Sequence, residues 1–284
     1  KIVAERKAER HSLKDKAATL FDDSKKDTAI WWPILTGLAN LTMDDRHKIR
    51  DLAMKALFNI LNEEGHYFSS GLWELVFKGV LFPIFDDVQH SHEHSNSGKV
   101  VKIQDEDVDS IVDNDKLIDK KVDAWLRSTC QEALNGVVSL FFKKDSFVLL
   151  QFLFGDLLQL LENCIVHPNQ VLARKGVSCL KTLVLSTGNH FDFSTWNVTS
   201  KKMYEICKRT IPRQLKWTGR PNDEENCAPS GVHGASLNAL QFSPRQVLSM
   251  CYVQLDMVNV IEDVVREHWN NISPDNIILW LKML

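Results

Sequence analysis

Apolar residues recur three and four positions apart through most of this chain, and sustained alternation of apolar with polar residues is nearly absent. The first spacing lines one face of an α-helix; the missing one would mark a half-buried strand. The pattern therefore predicts an all-α protein. Helices are expected at about 3–21, 27–41, 46–63, 69–86, 119–143, 146–166, 168–187, 194–217, 243–271 and 274–284. Gly65 and Gly188 follow apolar helical runs and read as left-handed helix ends, where a missing Cβ removes the steric cost. Asp44, Ser69, Ser194 and Ser273 precede such runs and read as N-caps, whose side-chain oxygens accept from free backbone N–H groups.

Two stretches interrupt the helical period, His90–Asp115 and Thr218–Leu240. Both are polar, carry Gly or Pro, and hold few large apolar residues, so mobile loops are expected at about 88–117 and 218–240. The rest reads as a single helical segment across residues 1–284.

An internal echo sharpens the architecture. Ile49–Trp73 (IRDLAMKALFNILNEEGHYFSSGLW) aligns without gaps on Leu172–Trp196 (LARKGVSCLKTLVLSTGNHFDFSTW), a separation of 123 positions. It pairs Gly65 with Gly188, Phe68 with Phe191, Trp73 with Trp196, Ala53 with Gly176, and Leu57 with Leu180. Small residues let helices approach closely and the Leu positions fill the space between layers. A HEAT or armadillo unit spans ~40–47 residues. The offset thus holds about three hairpins, the middle one enlarged or displaced by the acidic stretch. The expected fold is a HEAT/armadillo-like helical-hairpin solenoid.

Composition narrows the function classes. With 44% hydrophobic and 25% charged residues, the 284-residue chain has enough apolar side chains for an ordinary core. A net charge of −3, with Lys and Arg scattered along the chain, leaves no basic field for a phosphate backbone, so nucleic acid is not an expected partner. Cys130, Cys164, Cys179, Cys207, Cys227 and Cys251 lie far apart with no C-x-x-C, as reduced and mostly buried thiols do. The N-terminal stretch lacks the apolar run of a signal peptide, so the chain reads as starting mid-protein. Without a secretory signal, the Asn-x-Ser/Thr triplets at Asn40, Asn197 and Asn271 read as chance. The apolar run Phe147–Leu161 carries Gln151, Asp156 and Gln159 and is too short for a ~30 Å hydrocarbon core, so it reads as a buried inner helix.

No constellation of reactive groups emerges. His90, His92, Glu93 and His94 are ligand types that suit zinc, but they sit in a Ser/Asn/Gly-rich stretch without rigid support and read as a solvated loop. Ser97-Gly98-Lys99 resembles only the end of a phosphate loop, with no earlier Gly and no preceding strand. Neither a nucleophile elbow nor a zinc-protease helix occurs. Most of the eight tryptophans (Trp31, Trp32, Trp73, Trp125, Trp196, Trp217, Trp269 and Trp280) fall at core-facing helical positions; Trp217, beside a polar stretch, is the expected exception. Asp44, Asp45, Arg46 and Arg50 open a helix in a layout that suits a structural ladder between adjacent repeats. No catalytic, cofactor or metal residue is assigned, and the partner-binding residues are unknown at this level.

The stretch Trp31–Asp86 combines W-x-P-x-L-x-G-L, L-T-x-D-x-R, G-x-x-F-S and V-L-F-P-I-F-D in order. In this it resembles a block downstream of the catalytic domain in the large Arf guanine-nucleotide exchange factors of the BIG and Sec-seven type. Trp125–Phe141 and Gly188–Trp196 resemble later parts of the same region, so the likeness runs over roughly residues 27–200. The resemblance implies a non-catalytic regulatory or scaffolding segment of a factor that promotes GDP release from Arf GTPases. Its place would be the cytosol and the cytosolic face of the trans-Golgi network. Arf- or Rab-family small GTPases, or other domains of the parent protein, are the implied partners, with room for a homodimer formed through the parent. The invading glutamate of such factors has no matching motif here. The first predicted helix has Lys and Arg on its polar face, which fits peripheral membrane contact and core packing equally. The acidic insertion between Phe85 and Lys120 and the stretch beyond Trp217 depart from the family pattern. The residues alone also fit a HEAT-repeat scaffold or transport receptor with no link to Arf, or a metal enzyme built on the histidine cluster.

Overall fold

In the computed structural model, the residues described are 25–85, 123–212 and 244–282, and every regular element among them is a helix. In chain order these are α1 Lys25–Leu41, α2 His47–Glu63, α3 Ser70–Val76, α4 Cys130–Ser139, α5 Lys144–Leu150, α6 Phe154–Ile165, α7 Gln170–Thr187, α8 Phe193–Arg209, α9 Pro244–His268 and α10 Pro274–Leu281. A short helical stretch over 123–128 leads into α4. The expected helix at 3–21 and both expected loops lie outside the described residues.

The elements form two layers. In one, α2, α4, α7 and α9 lie side by side in that order; in the other, α1, α3, the α5–α6 pair, α8 and α10 follow one another. Cross-layer packing of α1 on α2 and of α6 on α7 closes the sandwich. This is an all-α helical-hairpin solenoid. Its core lies between the layers and is continuous, from Leu35, Leu57 and Trp73 through Leu134, Phe154 and Leu180 to Met257, Val264 and Trp280. Phe147–Leu161 sits inside that core, with Phe147, Leu150, Leu153, Leu157 and Leu161 each at most 1% exposed. By length and composition alone Asp145–Ile165 could cross a membrane, but more than half of its apolar window is buried against the other helices.

The 123-residue echo is a structural repeat. α2 starts at His47 and α7 at Gln170; each ends in a 3₁₀ turn, Gly65–Tyr67 and Gly188–His190. Each turn is followed by one extended phenylalanine, Phe68 at φ −76°, ψ 132° and Phe191 at φ −73°, ψ 131°. Then comes a side-chain N-cap, Ser69 accepting from Leu72 N–H and Asp192 from Thr195 N–H. A third copy joins α9 to α10: the turn Trp269–Asn271, extended Ile272, and the cap Ser273 accepting from Asn276 N–H.

Several expectations are corrected. Gly65 and Gly188 are not left-handed; neither has a positive φ, and each is small because a ring lies on it. A Cβ on Gly65 would meet the Trp73 indole at 2.5 Å, and one on Gly188 the His268 imidazole at 2.7 Å. Ser194 is not the α8 cap; Asp192 is. Arg46, without a side-chain cap, precedes α2, and Asp44 instead accepts from the Arg46 N–H at 2.9 Å.

Three expected long helices are also interrupted. The one at 69–86 passes through a π turn, Phe77–Leu81, where Phe82 N–H reaches back to Phe77 C=O and the Trp32 ring lies on Gly79. The one at 119–143 breaks at Thr129 and ends at Ser139. The one at 146–166 is split by a 3₁₀ turn, Gln151–Leu153.

Candidate interaction surface

The Asp44–Arg50 cluster is a ladder between repeats. Arg50 is 7% exposed and spends its fork on four oxygens: Nη1 donates to Asp44 and Asp45 C=O at 2.8 and 3.0 Å, Nε to Thr129 Oγ1 at 3.0 Å, and Nη2 to Ser128 Oγ at 3.0 Å. The planar guanidinium thereby ties the α1–α2 turn to the break before α4. The Asp44 side chain, 21% exposed, is held down to about 2 chiefly by its side-chain hydrogen bond from Arg46. The buried Arg50 is committed to the protein's own groups.

Among the described residues no group of three or more His, Cys, Asp or Glu could hold a metal ion. His90, His92, Glu93, His94 and Ser97-Gly98-Lys99 lie outside them, as do Trp217 and Cys227. Burial pushes the thiols of Cys130 and Cys207 up to about 12 and that of Cys179 to about 11, so these three are poor nucleophiles at neutral pH. Trp73, Trp125, Trp196 and Trp280 are buried; Trp31 and Trp32 pack against the core from its edge; Trp269, expected inside, is 59% exposed.

Two features escape the sequence pattern because their parts lie on helices far apart in the chain. One is Glu162, 3% exposed, which accepts from Lys202 Nζ at 2.7 Å and Arg209 Nη1 at 2.5 Å and so pins α8 to α6. The other is a groove of about 640 Å³ running along α7 between α4 and α9. Its floor is α7, with Gln170 at one end, Lys181 at the other, and Arg174, Lys175 and Ser178 between; Gln131 of α4 and Asn259 of α9 form the sides.

The groove's cations are held in place. Arg174 Nε donates to Asp256 Oδ2 at 2.9 Å, and its guanidinium carbon lies 5.5 Å from the centre of the Tyr252 ring. Lys181 pairs with Asp263 at 2.5 Å, and the hydrogen bond from this lysine is the main cause of the lowered Asp263 pKa. Lys175 Nζ donates to the Leu126 carbonyl at 2.6 Å. These bonds order a mixed polar surface with a cationic excess and no nucleophile–base pair.

Comparisons with known proteins now bear on this architecture. A family profile described as "GBF1-like, tetratrico peptide repeat region" matches residues 31–112, which include α2, the first connector and α3. The chain is 36% identical over 182 residues, 64% of its length, to brefeldin A-inhibited guanine nucleotide-exchange protein 2 of Arabidopsis thaliana. It is 28% identical over 91% of its length to protein 3 of the same name and organism. To the ADP-ribosylation factor guanine nucleotide-exchange factor sec72 of Schizosaccharomyces pombe it is 25% identical over 87%. It spans only 10%, 14% and 14% of the lengths of these three relatives. No solved structure matches. The profile and the relatives agree that the chain is similar to a stretch of the brefeldin A-inhibited and related guanine nucleotide-exchange proteins.

Proposed function

We propose that this chain is a regulatory and scaffolding segment of a large Arf guanine-nucleotide exchange factor, lying downstream of the exchange domain and contributing no exchange chemistry of its own. The segment works through protein contacts, with Arf- or Rab-family GTPases or with other domains of its parent, at the cytosolic face of the trans-Golgi network. The observation that supports this most is the extent of the match: relatives named as exchange proteins align with up to 93% of the chain. The architecture agrees, since a two-layer helical stack offers long surfaces to extended partners.

The test has two arms. Immobilised chain is offered Arf and Rab proteins loaded with GDP or with a non-hydrolysable GTP analogue; retention of at least one GTPase with a nucleotide preference is expected. Absence of retention in either state would transfer the segment to the class of scaffolds unrelated to Arf. In the second arm, release of a fluorescent GDP analogue from Arf is followed with the purified chain added. No acceleration is expected, and any acceleration at catalytic concentration contradicts the non-catalytic reading.

A further inference from the structure

The α4–α7–α9 groove is open to solvent and has a definite length. From Gln170 to Lys181 the floor advances eleven residues along α7, roughly 16 Å at the rise of an α-helix. An extended chain covers that length in about five residues.

Its charge selects the chemistry. Arg174, Lys175 and Lys181 face Asp256 as the single lining carboxylate, with Asp263 reaching Lys181 from beside the groove. With both partner carboxylates counted, three cations against two anions leave a net charge of +1, and an exposed pair such as Arg174 with Asp256 is weak enough for an incoming carboxylate to compete with it. The bond to Asp256 occupies only Nε of Arg174, and the bond to Leu126 C=O only one of the three Lys175 N–H donors. Ser178 on the floor and Asn259 at one side add hydrogen-bonding groups, and Val171, Val177 and Val260 supply apolar contact.

We propose that this groove is a docking site for an extended acidic peptide segment of about five residues, its carboxylates facing Lys175 with Arg174 and Lys181 to either side. The proposal rests on the reading that the segment works through protein contacts, and on no particular GTPase. The probe is a fluorescein-labelled peptide with five consecutive Glu, titrated with the 284-residue chain by fluorescence anisotropy, beside matched five-Gln and five-Lys peptides. The Glu peptide should bind at least tenfold more tightly than the Gln peptide. Lys175→Gln should weaken it at least fivefold. Asn259→Glu, at an exposed position that tolerates the change, should do the same with circular dichroism unaltered. Lys201→Gln, exposed on α8 away from the groove, should leave binding unchanged.

Equal binding of Glu and Gln peptides overturns the proposal, as does an equal loss from Lys201→Gln, which would show diffuse attraction. Displacement of the Glu peptide by inorganic phosphate or by vesicles containing phosphatidylserine, lost in Lys175→Gln, would reassign the groove to phosphate groups or anionic lipid. Failure of peptide binding with GTPase retention intact removes the groove proposal alone; the reverse result removes the GTPase reading alone.

Discussion

A carboxylate that is 3% exposed persists in this core because two cations come to it. Burial pushes the Glu162 pKa up, but the hydrogen bonds from Lys202 and Arg209 together outweigh it and hold the group below its ordinary value. A depressed folded-state pKa means that the network's contribution is complete above the unfolded value near 4.5 and is lost as the pH falls through the lower folded value. Glu162→Gln keeps the shape but leaves Lys202, 18% exposed, facing an amide. Urea denaturation at pH 7 should show a loss of about 2–3 kcal/mol, and the gap to the wild type should narrow below pH 4.5. A gap that is equally wide at pH 3.5 would show that the charge is not what matters. None of this was legible in the sequence, because Glu162 lies 40 and 47 residues from its partners. Arg50 was half legible: its contacts with Asp44 and Asp45 are local in sequence, while Ser128 and Thr129 lie 78 and 79 residues away.

At the scale of elements, the position of each helix follows from apolar period, but its interruptions follow from tertiary contacts that a period does not carry. Thr129, where the expected 119–143 helix breaks, is where Arg50 docks, and the π turn in α3's continuation lies under Trp32. Caps show the same division. Both Asp192 and Ser194 are capping residue types two positions apart, and only backbone geometry separates them: Asp192 is extended at φ −81°, ψ 175°, whereas Ser194 is already inside α8. Replacing Asp192 with Ala should therefore destabilise the protein by about 1 kcal/mol. Ser194→Ala, at an exposed position, should change stability by less than about 0.5 kcal/mol. Thermal denaturation of the two variants side by side decides the assignment, and a larger loss from Ser194→Ala would reverse it.

Across the whole molecule the repeats are joined by aromatic contacts that run from end to end of the described core. Trp31 meets Phe68 at 5.5 Å, Phe77 meets Phe141 at 5.8 Å, Phe154 meets Phe191 at 5.2 Å, and Trp196 meets His268 at 5.5 Å. The first two connectors were legible as a repeat because Gly, Phe and Trp recur in register. The third was not, since Trp269 stands where Gly65 and Gly188 stand in the others. The copies also solve one packing problem differently. Trp73 covers its own glycine and donates from Nε1 to the Gly65 carbonyl at 3.0 Å, whereas Gly188 is covered by His268 from α9. The second unit is thus completed only by the third.

That dependence has an energetic consequence. Each helix packs mainly on its neighbours in the stack, and among the described residues none of the principal packing contacts joins α1, α2 or α3 to α9 or α10. Stability in such an array is a sum of local terms and need not be lost everywhere at once. Met257 is fully buried in α9, the helix whose principal packing partner is α7. Met257→Ala removes apolar volume there at a cost of about 2–4 kcal/mol. By hydrogen exchange and mass spectrometry, protection should fall in α8, α9, α10 and the C-terminal half of α7, where His268 no longer seals Gly188. Amides of α2 around Leu57 and Leu61 should keep theirs. Uniform loss of protection across all helices would instead mean that the aromatic contacts bind the repeats into one cooperative unit. The layered arrangement would then describe the shape of the molecule but not the way it comes apart.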